Sequence, residues 1–166
     1  FPFSVWSRLL REVLASEEEA SLLSDTSSGG ARKLRCAIAA HLYQFRGLAA
    51  DPDQIIVGAG TQYLYGILVQ LLGRDQAFAV EDPGYPRLGK ILDSCGVRIC
   101  ALPMDASGVV PELLEESGAD ILHITPSHQF PTGIVMPISR RYELLSWAAK
   151  DSARYLIEDD YDCEFR

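Results

Sequence analysis

The stretch Arg154–Arg166 reads RYLIEDDYDCEFR, and it decides the fold. The apolar run Tyr155-Leu156-Ile157 climbs directly into Glu158, Asp159, Asp160 and Tyr161. A short run that is apolar at every position predicts a strand covered on both faces, as in a parallel sheet. Carboxylates crowded at the carboxyl end of such a strand stand where open α/β sheets bind ligands. Packing gives no reason for consecutive acids there, because each resists desolvation and repels its neighbours. A cationic group beside them makes the cluster tolerable.

The same pattern recurs upstream. Ile121 to Ile124 is a second apolar run and opens into the loop Thr125 to Gly133. Ala77 to Val80 ends at Glu81-Asp82-Pro83-Gly84-Tyr85, Val97 to Leu102 reads as another strand, and Ile55 to Val57 as a short β-branched one. Helical patterns lie between them. Leu34, Ile38, Leu42 and Phe45 recur at helical steps until Gly47, and Thr61 to Leu72 is closed by Gly73. Pro86 to Ser94 reads as a helix, Pro111 opens a short one, and Ser139 caps another that runs to about Lys150. Near the start, Ser4 precedes Val5, Trp6, Leu9, Leu10 and Val13, which predicts a capped amphipathic helix. Ser24 to Gly30 is a polar loop. Strands alternating with helices predict βαβ units: an α/β fold of three layers, a mostly parallel sheet with helices on both faces. The special loops at Gly60, Tyr85, 125–133 and Asp159–Tyr161 then fall on one rim and make a binding crevice.

At 166 residues and 48% hydrophobic, the chain is long enough for one globular core. A net charge of −8 argues against a nucleic-acid surface on this segment. Glu17-Glu18-Glu19 reads as an exposed helix end, and no apolar run reaches membrane-spanning length. Cys36, Cys95, Cys100 and Cys163 show neither a CxxC pair nor zinc spacing, so they read as reduced thiols of a cytoplasmic protein, with no metal site. Residue 1 is Phe, and the chain reads as a segment of a longer protein.

The loops carry specific chemistry. Gly58-Ala59-Gly60-Thr61-Gln62 brings backbone close to a ligand, and the helix after it offers free N–H groups and a positive dipole end that suit a phosphate. A tight turn without a ligand explains the same residues equally well. No Gly-Lys-Ser/Thr follows, and Tyr63 stands where a dinucleotide fingerprint has its third glycine, although Glu81 sits where a ribose-binding acid belongs. Asp82-Pro83-Gly84-Tyr85-Pro86 holds an aromatic ring stiffly, able to stack on a flat ligand or merely to pack. The 125–133 loop offers Thr125, Ser127, His128 and Gln129, whereas His41 and His123 receive no role. Asp159 and Tyr161, two apart on an extended segment, point to one side. A carboxylate and a phenol facing one ligand fit the protonated ring nitrogen and phenolate oxygen of pyridoxal phosphate. A solvated strand end suffices for Asp160 and Asp162.

In this order the motifs resemble the fold type I aminotransferases, and more narrowly the aminotransferase-like domain of the MocR/GabR subgroup of GntR-family transcription regulators. The similar segments are LRCAIAAHLYQFRGL (34–48), DQIIVGAGTQ (53–62), VEDPGYPRL (80–88), ITPSHQFPTGIVM (124–136), SRRYELLSWA (139–148) and IEDDYDCEFR (157–166). The resemblance implies an N-terminal helix and loop over 1–30 and part of the large, cofactor-binding domain over 31–166, with the winged-helix DNA-binding domain and the C-terminal domain outside the chain. It implies that Gly60, Thr61 and Gln62 hold the phosphate of pyridoxal 5'-phosphate, that Tyr85 stacks on the ring, that Asp159 pairs with the pyridine nitrogen and that Tyr161 bonds the ring hydroxyl. Phe130-Pro131-Thr132-Gly133 stands where aminotransferases have Asn-Pro-Thr-Gly, leaving His128 or Gln129 to replace the asparagine. The Schiff-base lysine of the family lies downstream, and Lys33, Lys90 and Lys150 do not match its context. The segment alone is therefore expected not to transaminate and to bind the cofactor weakly, without a covalent bond.

Three functions remain open at this point. The first is the effector-sensing domain of a dimeric bacterial regulator that answers to a small amino compound or amino acid, touches DNA only through its N-terminal domain and has no membrane contact. The second is part of a free-standing class I/II aminotransferase. The third is a nicotinamide-dependent dehydrogenase, against which the broken glycine pattern counts. The strings TPSHQFPTG and EDDYDCEFR favour the regulator.

Overall fold

The computed structural model describes residues 1–24 and 28–162. Two compact units divide at Gly58–Ala59. In the first unit, α1 (Phe3–Ser16), α2 (Glu19–Leu23) and α3 (Arg32–Arg46) precede a 3-10 turn, Pro52–Gln54. Arg35 explains why residues beyond 30 stay with this unit. Its buried guanidinium donates to the Gly30 carbonyl at 3.2 Å, the Pro52 carbonyl at 2.6 Å and Asp53 Oδ1 at 2.9 Å. Gly47 ends α3 in the left-handed conformation with φ +66°, as expected of a glycine stop.

Several local expectations fail here. Ile55–Val57 is not a strand: it has no sheet partner, and Val57 N–H bonds only to the Gly29 carbonyl. Ser4 lies inside α1, whose N-cap is Pro2, and Ser139 lies inside α7, whose N-cap is Pro137. In both cases a proline before the serine already sets the entry of the chain into the helix. The apolar face of α1 (Phe3, Trp6, Leu9, Leu10, Val13) is exposed. The acidic run at 17–19 spans the break between α1 and α2. The Ser24–Gly30 loop lies partly outside the described residues.

The second unit runs α4 (Thr61–Leu72), β1 (Ala77–Asp82), α5 (Pro86–Ser94), β2 (Arg98–Asp105), β3 (Gly108–Val109), α6 (Pro111–Ser117), β4 (Ile121–Ile124), α7 (Ile138–Ala149) and β5 (Tyr155–Glu158). The sheet order is β3-β2-β1-β4-β5. All neighbours are parallel except the two-residue β3, which folds back on β2. Its shortness hides it from sequence periodicity.

Alternation along the strands feeds two cores. Phe78 and Ile121 pack with Tyr65, Val69, Leu88 and Leu92 of α4 and α5. Ala79, Leu122 and Ile124 pack on the other face with Leu114, Leu144 and Trp147 of α6 and α7. Complete burial of Phe78, Ile121 and Leu122 contributes about 1.5–3 kcal/mol each. The helix after β1 covers one face and the helix after adjacent β4 covers the other. Their loops therefore part at the carboxyl ends of these strands, and that parting opens a crevice.

Candidate functional site

Four separate chain segments meet at this crevice. Thr61, Tyr85, Thr125, Phe130, Asp159 and Tyr161 line one hollow of about 270 Å³. A wider hollow of about 460 Å³ adjoins it through Thr61 and Tyr85, and includes Gly60, Gln62, Arg87 and Lys90. Gly60 turns the chain into α4 at φ +87°, and no atom lies within 4 Å of where a Cβ would stand. The first N–H groups of α4 have no side-chain cap. Uncapped donors at the positive end of a twelve-residue helix are what an anion such as a phosphate requires.

Tyr85 is 38% exposed, with the Phe130 ring edge-on to it at 6.1 Å, so that its face is oriented within the hollow. The Asp159 N–H bonds the Ile124 carbonyl at 2.9 Å, which extends the β4–β5 ladder into the acidic segment. Histidines stand beside two of the acids. His123 Nε2 stands 3.5 Å from Asp159 Oδ2, and His128 Nδ1 stands 2.6 Å from Asp162 Oδ2. The Tyr161 hydroxyl is held above its ordinary pKa by desolvation and then by the Asp162 and Asp159 charges. Tyr65, buried beneath the site, is raised mainly by burial and further by Asp159.

Two residues of the 125–133 loop are engaged within the protein. Gln129 is 2% exposed. Its amide donates to the Pro83 and Phe130 carbonyls at 2.9 and 2.7 Å, and its Oε1 accepts from Thr132 N–H and Oγ1. That exhausts a carboxamide's capacity, so Gln129 has nothing left for a ligand. His128 lines neither hollow; its ring is taken by Asp162 and stacks on Tyr161 at 6.2 Å. Glu81 Oε2 accepts from Thr125 Oγ1 at 2.6 Å and Thr125 N–H at 3.2 Å, so this oxygen clips two loops together, while its buried Oε1 makes no hydrogen bond among the described residues. Sequence reading missed Arg87 and Lys90, whose helical spacing on α5 was the available signal, and His123, which had none.

No protein-family model matches the chain. Its backbone superposes on an archaeal alanine:glyoxylate aminotransferase with a TM-score of 0.82 at 27% identity, over 96% of this chain and 41% of that one. The class is thus an aminotransferase-like domain of fold type I. Among curated relatives, the uncharacterized HTH-type transcriptional regulator YdeL of Bacillus subtilis is 40% identical over the whole chain. The HTH-type pyridoxine biosynthesis transcriptional regulator PdxR of Corynebacterium glutamicum is 39% identical over 98% of it. The probable rhizopine catabolism regulatory protein MocR of Rhizobium meliloti is 34% identical over all of it. The chain belongs to the aminotransferase-like part of these MocR-type regulators. It spans about a third of their length, 35%, 34% and 34% respectively. Among the described residues no helix is long and apolar enough to cross a membrane.

Proposed function

We propose that the crevice holds pyridoxal 5'-phosphate, and that the chain is the sensing part of a cytoplasmic, dimeric transcription regulator whose effector is a small amino compound. The observation that carries this reading is the shared hollow. The N-terminus of α4, at Thr61, and the acid at the end of β5, Asp159, open on one space flanked by three aromatic residues, Tyr85, Phe130 and Tyr161. The α4 N–H groups and Thr61 Oγ1 bind the phosphate dianion, and Gln62 borders the same anion. Tyr85, Asp159 and Tyr161 line the same hollow; there Tyr85 would stack on the ring, the Asp159 carboxylate would hold a proton at the ring nitrogen and the Tyr161 hydroxyl would bond the ring oxygen. Bound there, the cofactor supplies an electrophilic aldehyde that an amino compound can engage.

The match to HTH-type regulators along the whole chain supports a sensing role, with DNA contacts made elsewhere in the protein, in keeping with a net charge of −8. An effector that favours one arrangement of the dimer shifts its population and so its hold on DNA. Lys90 borders the wider hollow, whereas Lys33 pairs with Glu17 and Lys150 caps α7. None lines the space beside Asp159. Cofactor binding by this chain alone is accordingly non-covalent and weak.

The test is titration of the full-length regulator with pyridoxal phosphate, followed by its visible absorption. Saturable binding that is lost in Asp159→Ala and weakened about tenfold in Thr61→Ala is expected. No binding by the unaltered protein removes the reading. Borohydride treatment of the chain alone, followed by mass spectrometry, is expected to leave no stoichiometric adduct on Lys33, Lys90 or Lys150.

A further inference from the structure

His123 is the most deeply buried titratable group that touches the crevice, at 3% exposure. It lies in the middle of a parallel strand, paired with Ile157 of β5 and Val80 of β1. Its ring sits 5.7 Å from that of Tyr65, which belongs to the apolar core under α4. Its Nε2 makes no hydrogen bond within the protein, and Asp159 Oδ2 stands 3.5 Å away.

A buried imidazole nitrogen without a partner costs free energy that an apolar side chain of similar size would avoid. Packing between β4 and α4 therefore does not explain a histidine here. Register does. Because His123 faces Ile157, the residue two further along, Asp159, projects from the same side of the sheet. The carboxylate is 31% exposed, open to the hollow on one side and backed by His123 on the other.

We propose that His123 is a positioning residue for Asp159. A proton on its Nε2 supports one carboxylate oxygen from within the core and leaves the other oxygen turned to the crevice. The inference rests on the pyridoxal phosphate reading, since its consequence is the strength and orientation of the contact to the ring nitrogen. Tyr65 packs against the His123 ring from the core side, 5.7 Å between centroids. Such a support acts through Asp159 and touches no ligand itself.

The experiment uses the full-length regulator and pyridoxal phosphate as the probe. His123→Phe keeps a ring but removes the donor; His123→Gln places an amide N–H near the Nε2 position. His123→Phe is expected to weaken cofactor binding about tenfold and to reduce the visible circular dichroism per bound cofactor, because the ring is less firmly oriented. His123→Gln is expected to stay within about threefold of the unaltered protein on both readouts. Unchanged affinity and circular dichroism in His123→Phe, with Asp159→Ala still deficient, overturns the proposal while leaving the cofactor reading intact. No binding by the unaltered protein overturns both. Should His123→Phe fail to fold, nitrogen chemical shifts of 15N-histidine in the unaltered holoprotein decide the matter: a protonated Nε2 on His123 sustains the proposal, and an unprotonated one refutes it.

Discussion

The Tyr161 hydroxyl donates to the His128 carbonyl oxygen at 2.8 Å. This bond ties the segment after β5 to the loop after β4, and the Asp162–His128 contact repeats the tie. Two loops distant in sequence thereby act as one wall of the crevice, and Tyr161 is held where it borders the hollow.

Tyr161→Phe removes that single bond at a residue that is 50% exposed. Urea denaturation is expected to show a loss of about 0.5–1.5 kcal/mol, while pyridoxal phosphate titration shows weaker binding. Equal affinity in the two proteins would mean that the hydroxyl only joins loops.

Gln129→Ala is expected to cost more, about 2–3 kcal/mol, because it removes together the bonds of a buried side chain to the Pro83 and Phe130 carbonyls and to Thr132, each contributing about 0.5–1.5 kcal/mol. Chemical denaturation measures it. A loss under about 0.5 kcal/mol would be inconsistent with the clip, because even one of these bonds contributes about that much.

The two crevice glycines are expected to resist substitution for opposite reasons. At Gly84 an added Cβ falls 2.2 Å from the Glu81 carbonyl oxygen, so Gly84→Ala forces backbone apart and costs about 1–3 kcal/mol. At Gly60 the space is open but φ is +87°, so Gly60→Ala strains the turn by about 1–2 kcal/mol. Thermal unfolding reads both. Gly60→Ala additionally lowers affinity for pyridoxal phosphate, by reorienting the first N–H groups of α4.

Asp105 governs part of the acid stability. Hydrogen bonds from Arg140, and then from the Ser107 N–H, hold its carboxyl below the ordinary carboxylate range. A depressed folded-state pKa stabilises the protein above the unfolded value, near about 4, and the contribution disappears as pH falls through the folded value. The stability gap between the unaltered protein and Asp105→Asn is therefore largest at neutral pH and closes below about pH 4. The side chain is 45% exposed, so high salt shrinks the gap. Denaturation curves across the acid range, with and without salt, check both statements. A gap that widens on acidification contradicts the assignment.

Most of the second unit was legible in the sequence. The bounds of α4 and α5, set by Gly60, Gly73 and Pro86, agree with the structure, as does β4 at Ile121–Ile124. Glycine and proline act through local backbone geometry, which needs no tertiary partner. The strand at Ile55–Val57 failed because β-branched residues form a strand only where another strand accepts their hydrogen bonds. The caps at Ser4 and Ser139 failed because each serine lies one turn-forming position inside a helix already begun by the preceding proline.

The residues themselves determined the layered α/β architecture and the gathering of Thr61, Tyr85, Asp159 and Tyr161 at strand and helix ends, because periodicity and turn chemistry are local and repeat along the chain. Only the tertiary structure decided which polar side chains remain available to a ligand. Gln129 carries the same groups as any crevice residue, but its bonds are consumed between loops. His123 looked like one more position in an apolar strand until β5 was set beside it, bringing Asp159 to 3.5 Å. Hydrogen-bonding capacity is finite, and how it is shared depends on neighbours that sequence distance does not reveal.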